Sequence, residues 1–166
     1  MKYNRTFPTY IQTILSVLLL TILFGGHKVI ANQSDSSIGK AIAGTYLLIE
    51  ADDGGSRIVT IGVDGSWFGM HSYQLNNSFS NQQGSWKQTK KRRIRANTLN
   101  FSLLKEGVGS SLFTFNVEFD EEYQYVSGEL FGKMFPSGVD PLDPVAVPIK
   151  TFSNTFTGKR LTVNDD

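Results

Sequence analysis

The chain has 166 residues, 16 Lys and Arg against 15 Asp and Glu, 40% hydrophobic residues, 16 glycines, 12 phenylalanines and no cysteine. That length supports one globular domain with an ordinary hydrophobic core. The near-neutral balance argues against a specific nucleic-acid binder, and the absent cysteine excludes disulfides, thiolate metal sites, cysteine nucleophiles and a lipid anchor on cysteine.

Lys2 and Arg5 give a positive start, and Ile11 to Phe24 forms an apolar run broken only by Gln12, Thr13, Ser16 and Thr21. A charged region followed by a short apolar one is the pattern of an export signal. A spanning helix needs roughly 20 apolar residues, and this run ends at Gly25-Gly26-His27-Lys28. Val29-Ile30-Ala31 has the side chains a signal peptidase reads, so residues 1–31 are expected to be a leader cut after Ala31. The expected location is secreted or periplasmic without a permanent membrane anchor, the alternative being an uncleaved N-terminal anchor. Removing residues 1–31 takes Lys2, Arg5 and Lys28 from the basic residues and no acidic one, which brings the formal charge from +1 to −2. Two sequons, Asn76-Asn77-Ser78 and Asn100-Phe101-Ser102, matter only in a eukaryotic secretory route.

Residues 32–43 read as a polar lead with a short helical turn at Ile38 to Ala43, and residues 44–166 as one β domain. Eight strand-like runs follow: Gly44–Ala51, Arg57–Val63, Ser66–Leu75, Gly84–Lys90, Arg92–Leu103, Leu112–Phe119, Tyr123–Lys133 and one within Thr151–Val163. The clearest alternation sets Phe113, Phe115, Val117 and Phe119 on one face, the core face. In the strand before it, Arg93, Arg95, Asn97, Leu99, Phe101 and Leu103 share a face that begins polar and turns apolar. Asp64-Gly65 suggests a two-residue type I′ turn, and Asp120-Glu121-Glu122 a second short connection. Short connections imply up-and-down order, and eight such strands remove their edges by closing into an antiparallel barrel. Asp64-Gly65, Thr89–Arg92 and Asp120–Glu122 then share one end. Asp52–Ser56, Asn76–Gln83, Lys105–Ser111 and the proline-bearing Met134–Pro148 share the other, where any mouth lies. Pro136, Pro141, Pro144 and Pro148 forbid an interior strand in the last of these.

The helical turn before Gly44-Thr45-Tyr46 and the eight strands after it resemble the calycin superfamily of lipocalin-like barrels. Lipocalins carry Gly-x-Trp at this point; here Tyr46 stands in the tryptophan position. Arg160 is the candidate for the late arginine that packs on this base aromatic in the family. Gly65-Ser66-Trp67-Phe68, Gly84-Ser85-Trp86 and Asn97-Thr98-Leu99-Asn100-Phe101 are similar to small microbial secreted calycin-like barrels. The resemblance implies an eight-stranded barrel and a binding role, with an enzyme of the allene-oxide-cyclase kind as another possibility within the group.

Candidate chemistry is sparse. His71 is the only histidine after the leader and lacks the companions of a catalytic triad or metal site, so it reads as structural more readily than as a general base. Glu50, Asp52 and Asp53 precede Gly54-Gly55, which is also the composition of a polar hairpin, and no metal or cofactor site is expected. Lys87, Lys90, Lys91, Arg92, Arg93 and Arg95 form a basic hairpin that could grip an anionic surface or protein partner, or simply be a solvated tip. The aromatic side chains either fill the barrel or, where Gly62, Gly69, Gly128 and Gly132 leave room, line a pocket. The preferred reading is a non-enzymatic barrel whose mouth takes a small apolar or amphipathic ligand, held by apolar burial at roughly 25 cal/mol per Å². His71, Tyr73, Trp67, Arg95, Phe113 and Phe115 are the candidate contacts. The alternatives are an envelope or host-interface protein using residues 87–95 and 134–148, and the cyclase-like enzyme.

Overall fold

The computed structural model describes residues 37–163; the expected leader and most of the polar lead lie outside these. A short helix, α1 (Ser37–Ile42), leads into eight strands. These are β1 (Gly44–Glu50), β2 (Ser56–Ile61), β3 (Ser66–His71), β4 (Gln82–Lys90), β5 (Arg93–Leu104), β6 (Gly107–Phe119), β7 (Tyr125–Phe135) and β8 (Lys150–Arg160). Each strand pairs with its sequence neighbours, and β1 pairs with β8, so the sheet is a closed up-and-down barrel. This is the architecture expected from the sequence, and closure leaves no unpaired edge.

Alternation decides which side chains enter. Phe113, Phe115, Val117 and Phe119 of β6 are all buried, as their spacing predicts. They meet Tyr46 and Leu48 of β1, Val59 of β2, Trp67 of β3, Ile94 of β5 and Leu130 of β7 in one core. In β5 the expectation is corrected. The face carrying Arg93, Arg95, Asn97, Leu99, Phe101 and Leu103 points outward along its whole length, leaving Phe101 62% and Leu103 65% exposed. The inner face is Ile94, Ala96, Thr98 and Asn100, all buried.

Several boundaries move for identifiable reasons. β3 stops at His71 because a 3-10 turn, Ser72–Leu75, follows, with the His71 side chain accepting from the Tyr73 amide at its start. β5 and β6 join at a tight turn over Lys105-Glu106, with Leu104 opposite Gly107, in place of the longer loop expected over Lys105–Ser111; Gly107 takes a φ of +121° there. The Asp64-Gly65 connection is not type I′, which needs two positive φ values. Only Gly65 has one (+89°), and Asp64 accepts from the Ser66 amide and hydroxyl at 3.0 and 2.6 Å. Tyr123 lies in the β6–β7 turn with φ 57°, so β7 begins two residues later than its aromatic content suggests.

The glycines expected to leave room do not leave empty space. Gly132 faces Phe152 across the β7–β8 ladder, and a Cβ there would sit 2.1 Å from that ring; Gly128 does the same for Phe156, at 2.7 Å. Absent side chains on β7 are the seats of aromatic rings on β8.

One end is closed. Ile38 and Ile42 of α1 enter the core, and the Tyr46 hydroxyl donates to the Ile42 carbonyl at 2.9 Å. The Arg160 guanidinium lies 5.8 Å from the Tyr46 ring centre and donates to the carbonyls of Ala41 (2.9 Å) and Ala43. Tyr46 and Arg160 thus make the contact implied for the base of the barrel, and they tie α1 across it. Burial raises the Tyr46 hydroxyl pKa against the opposing pull of the Arg160 charge, keeping it a neutral donor. The turns at Asp64-Gly65, Lys91-Arg92 and Asp120–Gln124 share this end, and the longer connections the other. Arg160→Ala removes two charge-assisted bonds and the ring contact, and is expected to cost about 3 kcal/mol, read as a lowered urea midpoint with an unchanged slope.

Candidate functional site

The open end holds a cavity of about 420 Å³, within the range of small-molecule sites. Its floor is a salt bridge. Glu50, the last residue of β1, and Arg57, the second of β2, both point inward and are each only 6% exposed. The Arg57 Nε donates to Glu50 Oε1, and its Nη1 donates to Gln82 Oε1 on β4 at 3.0 Å. The guanidinium lies 5.3 Å from the Phe113 ring centre and 5.7 Å from that of Phe115, so it lies against the aromatic core.

Three further groups complete the network. Asn154 of β8 donates to Glu50 Oε2 at 3.1 Å. His71 Nε2 stands 3.3 Å from Glu50 Oε1, while His71 Nδ1 accepts the Tyr73 amide at 3.0 Å. An acceptor at Nδ1 and a carboxylate at Nε2 fix the neutral ring as the Nε2–H tautomer. Neither nitrogen then offers a lone pair to the cavity. As a general base this histidine has nothing to accept a proton with, and the geometry supports its structural reading. Burial pushes the Glu50 carboxyl up, but the His71 hydrogen bond together with the charge and hydrogen bond of Arg57 outweighs it and holds the group below its ordinary value. Burial lowers Arg57, against which the Glu50 charge acts.

Above this floor the walls are mixed. Phe113, Phe152 and Leu130 supply apolar surface, and Asn100, Ser102 and Ser111 supply hydrogen-bonding groups. The segment before β4 helps to wall the mouth: Phe79 bridges to Ser102, and Ser80 donates its amide to the Phe101 carbonyl at 2.8 Å. Met134 and Lys150, at the two ends of the proline-bearing segment, line the cavity. The rest of that segment is organised by Asp140 and Asp143, which accept from the amides two residues on at 2.8 and 3.0 Å.

The residues singled out from the sequence divide cleanly. His71, Tyr73 and Phe113 line the cavity. Trp67 and Phe115 do not; they stack at 5.1 Å in the core and are fully buried. Arg95 points outward and donates to Asn116 at 2.9 Å. The carboxylates Glu50, Asp52 and Asp53 reach the cavity, though Asp53 also accepts from the Gly55 amide as the turn reading expects. Among the described residues, no group of three or more His, Asp or Glu side chains is placed to hold a metal ion. In the basic hairpin, Arg92 pairs with Glu121 at 3.0 Å and Arg93 with Glu118 at 2.7 Å, both on the surface. Arg57, Gln82, Asn100 and Asn154 escaped the sequence reading. Their only signal is polar residues at inward positions of strands whose outward positions are apolar, most plainly Thr98, Asn100 and Ser102 against Leu99, Phe101 and Leu103.

No family model matches the chain, and no curated protein does. Among solved structures, it is similar to the biotin-binding protein from chicken, at 14% identity and a TM-score of 0.43, covering 73% of this chain and 98% of that one.

Two outcomes follow from the network. Because the Glu50 carboxyl is held below its unfolded value of about 4.3, its contribution to stability is complete above that pH and is lost as pH falls through the folded value. Thermal midpoints measured from pH 6 down to pH 3 should fall at the acid end, less steeply in Glu50→Gln. Arg57→Met leaves a buried carboxylate without its counter-charge and is expected to cost about 3–5 kcal/mol in urea unfolding, a loss that Glu50→Gln in the same chain partly restores.

Proposed function

We propose that the protein is an exported, non-enzymatic binding protein that holds one small amphipathic molecule in the mouth of its barrel. The observation that carries this reading is the cavity: about 420 Å³, open at one end, walled by Phe113, Phe152 and Leu130 on one side and by Asn100, Ser102 and Ser111 on another. An apolar body buried against the rings supplies the affinity, and a few polar groups set orientation, which is the usual division in such sites. The ordered His71, with both nitrogens engaged, supports binding over catalysis. Export rests on the charged start and apolar run of residues 1–31.

The test is native mass spectrometry of residues 32–166 purified gently from the natural compartment. A reproducible excess mass that disappears on denaturation is the expected result. A bare polypeptide mass in repeated preparations, with no ligand taken up from an extract of that compartment, overturns the reading. Ser102→Trp directs a large ring into the cavity and should abolish the excess mass while changing stability by no more than about 1–3 kcal/mol.

A further inference from the structure

The charged groups of the cavity are satisfied among themselves, and the neutral ones are not. Glu50 uses both oxygens, on Arg57 and His71 and on Asn154, and Arg57 is neutralised by Glu50. By contrast, Gln82 Nε2 and Asn100 Oδ1 are buried and have no hydrogen-bond partner, on side chains only 3% and 5% exposed. Buried polar atoms without a partner are uncommon and costly, about 1–3 kcal/mol each.

Chemistry fixes which atom of each amide is unmet. Arg57 Nη1 can only donate, so the Gln82 oxygen must face it and the Gln82 nitrogen is the spare group. The Ser80 carbonyl can only accept, at 3.4 Å, so the Asn100 nitrogen faces it and the Asn100 oxygen is spare. Gln83 pairs with Leu99 across β4 and β5, and one step toward the mouth along the same ladder are Gln82 and Asn100, both directed inward. Asn100 and Arg57 line the cavity. The floor therefore presents one unmet donor and one unmet acceptor at the same level of adjacent strands.

Resting on the binding reading above, we propose that this pair recognises a planar neutral group that carries an acceptor and an N–H side by side: a carboxamide, lactam or urea. Such a group accepts from Gln82 Nε2 and donates to Asn100 Oδ1 at once. A carboxylate offers acceptors only, sets its lone pairs against Asn100 Oδ1, and meets an arginine already neutralised. A hydrocarbon leaves both groups buried and unpaired, and sites built to hydrogen-bond reject analogues that cannot.

The experiment titrates residues 32–166 with benzamide, sodium benzoate and toluene, which share a ring and differ in the group attached. Binding is followed by NMR through the cavity resonances, including the Gln82 side-chain NH2. Benzamide is expected to bind at least about tenfold more tightly than either of the others, which corresponds to one neutral hydrogen bond of ordinary strength. Asn100→Leu should bring benzamide down to the level of toluene while toluene binding persists. Gln82→Glu, which keeps an acceptor for Arg57 and removes the spare NH2, should also abolish the preference and serves where Asn100→Leu does not fold. Benzoate binding as well as benzamide, or toluene binding equally well because water satisfies the pair, overturns the inference and leaves the cavity a ligand site. If none of the three probes perturbs the cavity, the binding reading and the inference fail together.

Discussion

The salt bridge between Glu50 and Arg57 divides this barrel in two. Both groups are taken almost fully out of water, a transfer that costs several kcal/mol per ion unless geometry and further hydrogen bonds offset it. The offset is distributed widely: Gln82, His71 and Asn154 each add a bond, and they come from β4, β3 and β8 while the ions come from β1 and β2. Five strands are thus held to one register at one level, because a slip of one residue in any of them sends its member of the network to the outer face.

What lies on either side of that level follows from it. Toward α1, the interior is packed with Trp67, Phe115, Leu48, Val59, Ile94, Phe119 and Tyr46, and the base is sealed by Arg160. That half is an ordinary small-barrel core, and it supplies the apolar burial that stabilises the fold. Toward the mouth, the inward residues become Asn100, Ser102, Ser111 and Asn154, and side chains no longer meet across the middle. The choice between a solid barrel and a hollow one is therefore resolved by depth. The guanidinium of Arg57, lying against Phe113 and Phe115, is where one regime ends and the other begins.

Much of this was legible in the sequence, and the illegible part has a physical cause. Eight strands, their order, the closed base with Tyr46 and Arg160, and the end carrying the mouth all follow from period-two alternation and connection lengths. The inner and outer faces of β5 did not. A reader of alternation assigns the more apolar set to the interior, yet near the mouth the interior is a polar cavity wall and the apolar Phe101 and Leu103 face outward. Arg57 was illegible for another reason. At the start of a strand it looks like an exposed charge, and only closure of the sheet brings it to Glu50, seven residues away, and to Gln82, twenty-five residues away.

The basic hairpin shows the same rule from outside. Arg93 and Arg95 alternate with the buried Ile94 and Ala96, so both leave the barrel on its outer wall. There Arg93 pairs with Glu118, and Arg95 bonds Asn116, which in turn donates to Glu129 at 3.0 Å. These exposed contacts are individually worth little, yet they moderate a run of six cations that in sequence stands out as a dense positive field. Charge at the closed end is thus spread over the neighbouring strands, while charge at the mouth is buried and cancelled within one network. A ligand approaching the mouth meets no uncompensated buried ion at the floor, so shape and neutral hydrogen bonding decide what is held.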